Sequence, residues 1–345
     1  MPEDDLVAEG PAVLVVTMLG QTGSGKSTFI AGMYAQLVQG FRGCFLHTPD
    51  HDAGVEMVKQ LARLRAGDLP EPTTTKAIPH DYVLRSAEGQ FPLDLTDYRG
   101  GAPFDLTRGN SDSDTAMLRK RLAESHSIFV VLDSTHFAEP VTPARLHEVR
   151  EATGTDLFSD LISKAVHDKQ QQSQLPPSVA VLLTKADQID GRPGSVARDW
   201  GEVEAELREV LGGAFQPGVD ARIIPVTVFG YTGLDGQPPV LALDLHALAD
   251  PVIFAAGTFL RVRLAAVYRH YRQAQESTEA ARRTLGELTD AGPIIRWFRR
   301  TKIAAAEAEV SRSSARADQL EDRCRELGKK ADAMLARLDP RAGGE

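Results

Sequence analysis

Cysteine is nearly absent: Cys44 and Cys324 are the only two in 345 residues. They stand far apart, with no metal-ligand partners at a useful spacing. That excludes a disulfide framework and fits the reduced, buried thiols of a cytosolic protein. Positive charge is also short. Lys and Arg number 39 against 48 Asp and Glu, a net charge of −9, whereas broad nucleic-acid binding needs a basic face to neutralise phosphates. No nucleic-acid partner is expected. No apolar run is long enough to span a bilayer, and residues 1–10 (MPEDDLVAEG) are acidic, unlike a signal peptide. A cytoplasmic location is the default expectation. The nine histidines are scattered, and neither H-E-x-x-H nor C-x-x-C occurs. What remains, 42% hydrophobic and 25% charged, is ordinary globular composition. The length allows one large core plus an appendage.

The first strongly apolar run, residues 12–19 (AVLVVTML), is short, β-branched and uninterrupted, as a strand buried on both faces requires. A helical stretch from about Lys26 to Gln39 follows. Further buried strands are expected at 91–96, 128–133, 178–183 and 222–227, with helices near 55–66, 113–125, 142–170 and 195–211. Strands alternating with helices predict an α/β fold, a mostly parallel sheet with helices on both faces. One antiparallel element is expected, a hairpin over 81–97 turning at Glu88-Gly89.

Beyond about residue 250 the composition shifts to Ala, Arg, Glu, Leu and Gln. Leu260, Leu264, Val267, Tyr271, Ala274, Thr278, Ala281, Leu285 and Leu288 alternate steps of four and three. Asp290-Ala291-Gly292-Pro293 interrupts, since Pro lacks a donor and Gly frees the backbone. A second arm carries Ile303, Ala306, Val310, Ser313, Ala317, Leu320, Cys324, Leu327, Ala331, Met334 and Leu338 at the same alternation. Two such arms predict a C-terminal antiparallel helical hairpin about 50 Å long. The alternative is two ordinary amphipathic helices folded on the first domain. The expected organisation is an acidic tail (1–10), a nucleotide-binding domain (11–250), a helical hairpin (251–340) and a short tail (341–345).

Gly20, Gln21, Thr22, Gly23, Ser24, Gly25, Lys26 and Ser27 satisfy G-x-x-x-x-G-K-[ST] after a strand and, with Thr28, open a helix. In that context glycines turn backbone N–H groups inward around phosphate oxygens, and the helix N-terminus adds positive potential. Lys26 reaches the β and γ phosphates of a nucleoside triphosphate, and Ser27 offers its hydroxyl to Mg²⁺. Asp97-Tyr98-Arg99-Gly100 ends a strand and fits D-x-x-G: the Asp holds Mg²⁺ through water and the Gly100 amide meets the γ-phosphate. Thr184-Lys185-Ala186-Asp187 follows another buried strand and fits [NT]-K-x-D. A carboxylate there accepts from guanine N1–H and the exocyclic amine, a donor pair adenine lacks, while the Lys185 stem covers the ring. After the last strand, at Thr227-Val228, a backbone amide is placed to meet the guanine oxygen. The expected cofactors are GTP or GDP with Mg²⁺.

On these elements, in this order, the chain resembles the small GTPases of the Ras-like, TRAFAC type over about residues 11–250. In that family about twenty-two residues separate the Mg²⁺-ligating switch threonine from the D-x-x-G aspartate. Thr75, the last of Thr73-Thr74-Thr75, has that spacing to Asp97, so the resemblance assigns Ser27, Thr75 and Asp97 to the metal. The long stretch before the switch, D-Y-R-G-G and the helical tail look like the bacterial double-GTPase families associated with conflict systems. The resemblance implies a GTP-hydrolysing switch with Lys26, Thr75 and Gly100 in the catalytic machinery. It also implies a protein effector or activating partner, a second GTPase included.

The sequence departs from the family where Ras-like enzymes place a water-orienting glutamine directly after D-x-x-G, because that position is Gly101. Slow intrinsic hydrolysis is the expectation. Arg99 is a candidate arginine finger in cis, set against a solvent-facing Arg on a switch loop. Residues 292–302 (GPIIRWFRRTK) mix aromatics with cations from Ile294 to Lys302. Two readings stay open there: contact with a membrane or an acidic partner, or a plug closing the end of the helical pair. Two alternatives to the slow switch also stay open. One is a GTP-binding scaffold with negligible turnover. The other is a membrane-associated GTPase using the hairpin tip.

Overall fold

A computed structural model describes residues 12–66, 77–98, 113–190, 197–232, 240–290 and 299–339. The strands are β1 Leu14–Gly20, β2 Phe45–His47, β3 Ile78–Ser86, β4 Gly89–Asp97, β5 Ser127–Asp133, β6 Ser178–Thr184, β7 Ala221–Thr232 and β8 Val240–His246. The helices are α1 Lys26–Val38, α2 His51–Arg65, α3 Ser113–Glu124, α4 Leu146–Thr153, α5 Thr155–Gln171, α6 Asp187–Asp190, α7 Trp200–Val210, α8 Asp250–Thr289 and α9 Arg300–Ala336. The fold is mixed α/β with a mostly parallel sheet, followed by a C-terminal helical region.

The sheet order is β2-β3-β4-β1-β5-β6-β7-β8. Strands β4, β1, β5, β6 and β7 run parallel. The β2–β3, β3–β4 and β7–β8 pairs are antiparallel. Strand β6 (SVAVLLT) is buried at all seven positions and β5 at six, which is why their sequences are continuous apolar runs rather than alternating ones. The expected hairpin is present, turning one residue earlier at Ala87-Glu88, with Ser86 paired to Gly89. The sequence reading has to be amended in three further places. Gly154, at φ 71, divides the expected 142–170 helix into α4 and α5. The last expected strand runs on to Thr232, and β2 and β8 were not anticipated.

Two compact units divide the chain, Leu260–Ala333 and a larger unit of Val13–Phe259 with the chain from Met334 on. In the smaller unit α8 and α9 run in opposite directions. Leu264 lies against Gly328, and seven residues further on Tyr271 is hydrogen-bonded to Glu321, seven residues back. Every seam position named for the two arms is buried or half-buried. By length and composition α8 is apolar enough to cross a membrane, contrary to the expectation of no such run. However, 67% of its apolar window is buried in the protein, as in the core helix of a soluble fold.

Within the larger unit the chain end closes on the sheet. Arg337 donates to both oxygens of Glu88 at 2.7 and 2.9 Å, in the turn of the β3–β4 hairpin. Arg42 and Arg337 each donate to the other's carbonyl, and Arg42 pairs with Asp250 at 3.2 Å. A Cβ at Gly257 would sit 2.6 Å from the Leu335 side chain, so any side chain there would force Leu335 to shift. Burial alone would raise the Glu88 carboxyl, but hydrogen bonds from Arg337 and Ser86 and the Arg337 charge outweigh it and hold it below the usual range. A depressed folded-state pKa means stability that is fully present above the unfolded value, about 4.3, and lost as pH falls through the folded one. Arg337→Ala strands a buried carboxylate and is expected to cost about 3 kcal/mol at neutral pH. The loss should shrink below about pH 4, and Glu88→Gln should relieve it; urea unfolding of the single and double variants across pH measures both.

Candidate functional site

Strand β1 has β4 on one side and β5 on the other, so the chain leaves β1 in one direction and later returns to pair in the other. Ligands of open α/β sheets bind outside the carboxyl ends of the strands at such a switch point. Here that place holds the loop from Gly20, the last residue of β1, to Gly25, the N-cap of α1. Gly23 and Gly25 have φ of 82° and 94°, which side-chain-bearing residues rarely adopt. They let the loop turn sharply into α1, whose first amides have no partner within the helix. Lys26, Ser27 and Thr28 form the first turn of that helix.

Lys26 folds back over the loop, its Nζ donating to the Gly20 carbonyl at 2.9 Å and the Gln21 carbonyl at 3.0 Å. Burial lowers its pKa, and the Asp97 carboxylate opposes the shift. Asp97 is the last residue of β4 and is 1% exposed. Ser27 Oγ donates to Asp97 Oδ2 at 3.5 Å. A hydroxyl and a buried carboxylate beside a helix N-terminus are hard oxygen donors of the kind Mg²⁺ takes, with its other positions left to water and an anionic ligand. Among the described residues no group of three or more His, Cys, Asp or Glu side chains is arranged to hold a metal by itself.

The end of β6 is stitched to the loop. Thr184 Oγ1 bonds the Ser24 carbonyl at 2.7 Å and the Leu132 carbonyl at 3.1 Å. The fit at Gly25 is close, since a Cβ there would lie 3.3 Å from Thr184. Lys185 follows in a left-handed conformation, φ 56°. Its Nζ is paired with Asp133 Oδ2, and its carbonyl accepts from Ser134 Oγ. Asp133 Oδ1 in turn accepts from the Thr135 amide at 2.9 Å and hydroxyl at 2.8 Å. A small cavity lined by Gln21, Thr22, Gly23, Ser24, Asp133 and His136 places Asp133 beside the loop. Asp187 opens α6 two residues after Lys185, with Gln188 Nε2 donating to it at 2.7 Å.

Three sequence elements more than 60 residues apart therefore meet at one edge: the loop with Ser27, Asp97, and Thr184-Lys185. Thr227 and Val228 lie within β7 rather than in a loop after it. The ladder to β8 shifts register between Thr227 and Phe229. The Val228 side chain turns to α1, where a Cβ on Gly32 would lie 3.2 Å from it. Thr75, Arg99, Gly100 and Gly101 are outside the described residues, as are the 1–10 and 341–345 tails and most of the 292–302 segment. Sequence reasoning missed Asp133 and Ser134. The available signal was an acid-hydroxyl pair directly after a fully apolar strand, Val130-Val131-Leu132-Asp133-Ser134. Neither a protein-family model nor a curated protein matches the sequence.

Proposed function

We propose that the protein binds GTP with Mg²⁺ and hydrolyses it slowly, as a partner-regulated switch of the Ras-like type. The observation that carries the reading is the convergence of Lys26 and Ser27 at the start of α1, Asp97 at the end of β4 and Thr184-Lys185 at the end of β6, all at the carboxyl edge of the sheet. On this reading the loop amides and Lys26 hold the phosphates, and Ser27 and Asp97 hold the metal with Thr75. Lys185 lies over the base and Asp187 accepts its two donors; Thr227 and Val228 complete the base pocket. Mg²⁺ supplies charge neutralisation on the phosphate oxygens when bound. The Lys26 contacts to Gly20 and Gln21 are compatible with this role, because a phosphate oxygen offers a stronger, charged acceptor than either carbonyl. The closer likeness to the double-GTPase families makes a second GTPase one proposed partner. A membrane or acidic partner at Ile294–Lys302 belongs to the same proposal.

Guanine selection rests on Asp187. Asp187→Asn should lose at least tenfold in GTP affinity, since a buried donor pair loses a charged acceptor. It should gain affinity for xanthosine triphosphate, whose C2 carbonyl accepts from the amide. Lys26→Ala should bind neither nucleotide while remaining folded by circular dichroism. Displacement of a fluorescent GDP analogue measures all three; unchanged GTP preference in Asp187→Asn would contradict the assignment.

Gly101 favours one other reading, a GTP-binding scaffold without turnover, because no carboxamide follows D-x-x-G. The two differ in rate. The switch predicts single-turnover hydrolysis on the order of 10⁻⁴ to 10⁻³ s⁻¹ with Mg²⁺, rising when a partner orders the site. The scaffold predicts none above the uncatalysed background. A rate near 10⁻² s⁻¹ that collapses in Arg99→Ala would instead identify Arg99 as a built-in finger.

A further inference from the structure

Lys185 is held more firmly than an ordinary surface lysine. Its φ of 56° is the left-handed region, which costs a side-chain-bearing residue of order 1 kcal/mol and persists only where neighbours over-determine it. Both ends of the residue are gripped from one place. Ser134 Oγ donates to its carbonyl, and Asp133 Oδ2 pairs with its ammonium. Asp133 is itself immobilised: it caps the short 3-10 turn Ser134–Phe137, and its second oxygen is occupied by the Thr135 amide and hydroxyl. The Asp133 side chain is 15% exposed and that of Lys185 45%. A half-exposed pair of this kind adds little to stability, so the fold alone does not account for one residue being held at both its carbonyl and its ammonium. Burial would raise the Asp133 carboxyl, but the Lys185 and Thr135 hydrogen bonds outweigh it and keep it charged.

Pinning a lysine at its carbonyl and its ammonium leaves the four methylenes between them little rotamer freedom, an apolar surface that is already ordered. In sequence Lys185 follows Thr184, the tether to the loop, and precedes Asp187 by two residues. We propose that Asp133 and Ser134 are positioning residues for base recognition: they preorganise the Lys185 stem as the platform on which a planar purine stacks, so that Asp187 meets its donors without the stem first having to order. This rests on the GTP reading above. The two residues touch neither phosphates nor metal on this account, so their effect belongs to the base half of the ligand alone.

The test is affinity for GTP, GDP, ATP and inorganic tripolyphosphate in the full-length protein and in Asp133→Ala, Asp133→Asn and Ser134→Ala, with melting temperatures recorded for each. Tripolyphosphate carries the phosphate chain without the base. Freezing one long side chain on binding is worth about a tenfold change in affinity. Asp133→Ala should therefore weaken GTP and GDP by about tenfold each while leaving tripolyphosphate unchanged. Asp133→Asn keeps the Thr135 cap and a neutral hydrogen bond to Lys185, so it should fall between the two. It also decides the matter if the alanine variant is poorly folded. An unaltered GDP affinity in a folded Asp133→Asn or Asp133→Ala variant overturns the inference. So does a loss shared equally by tripolyphosphate, which would mean a general structural role. A wild-type protein that binds ATP as well as GTP overturns this inference together with the guanine reading; a guanine-selective protein indifferent to Asp133 overturns this inference alone.

Discussion

Burial of the central parallel strands on both faces is the constraint from which the site follows. Strands β1, β5 and β6 are apolar along nearly their whole length, so their polar residues are pushed to the ends, while β4 alternates and ends on the buried Asp97. Because the strands run parallel, the ends that carry Gly20, Asp97, Asp133 and Thr184 all emerge at one edge. The site is assembled there by strand termini rather than by any one loop. The hydrogen bonds from Thr184 to Ser24 and Leu132 then lock three of those termini to one another.

The same economy of contacts recurs at the opposite end of β4. Its first residue follows Glu88, which Arg337 grips from the chain end, and its last is Asp97 beside Ser27. One nine-residue strand thus has a buried charged group at each end. Arg121 adds a third tie within it, pairing with Asp94 from α3. Each of these groups meets a partner far away in sequence, so the strand's position depends on the closed fold.

Much of the architecture was legible because its signals are local. Uninterrupted β-branched runs marked β1, β5 and β6, and Glu88-Gly89 marked the hairpin. The three-four spacing marked α8 and α9 down to individual seam residues such as Leu264 and Leu327. What was illegible lacks a local signal. Strand β2 is three residues long with Phe45 exposed, and β8 exists only as the edge partner of an extended β7. The division at Gly154 was hidden because both helices share a continuous apolar periodicity. In the candidate site, Gly20–Ser27, Asp97 and Thr184–Asp187 were readable as spacing patterns. Asp133 was read only as the last residue of a strand, since its partner Lys185 is 52 residues away. The Glu88–Arg337 pair spans 249 residues and leaves no trace in either neighbourhood.

The central claim is a guanine-selective, metal-dependent triphosphate site at that strand edge, and calorimetric titration of the purified wild-type protein with GTP and ATP, with and without Mg²⁺, tests it most directly. The account predicts saturable one-to-one binding of GTP that tightens with Mg²⁺, and ATP at least a hundredfold weaker, on the order of 3 kcal/mol of discrimination from one unmatched buried donor pair. Equal affinity for the two nucleotides, or GTP binding indifferent to Mg²⁺, would contradict it.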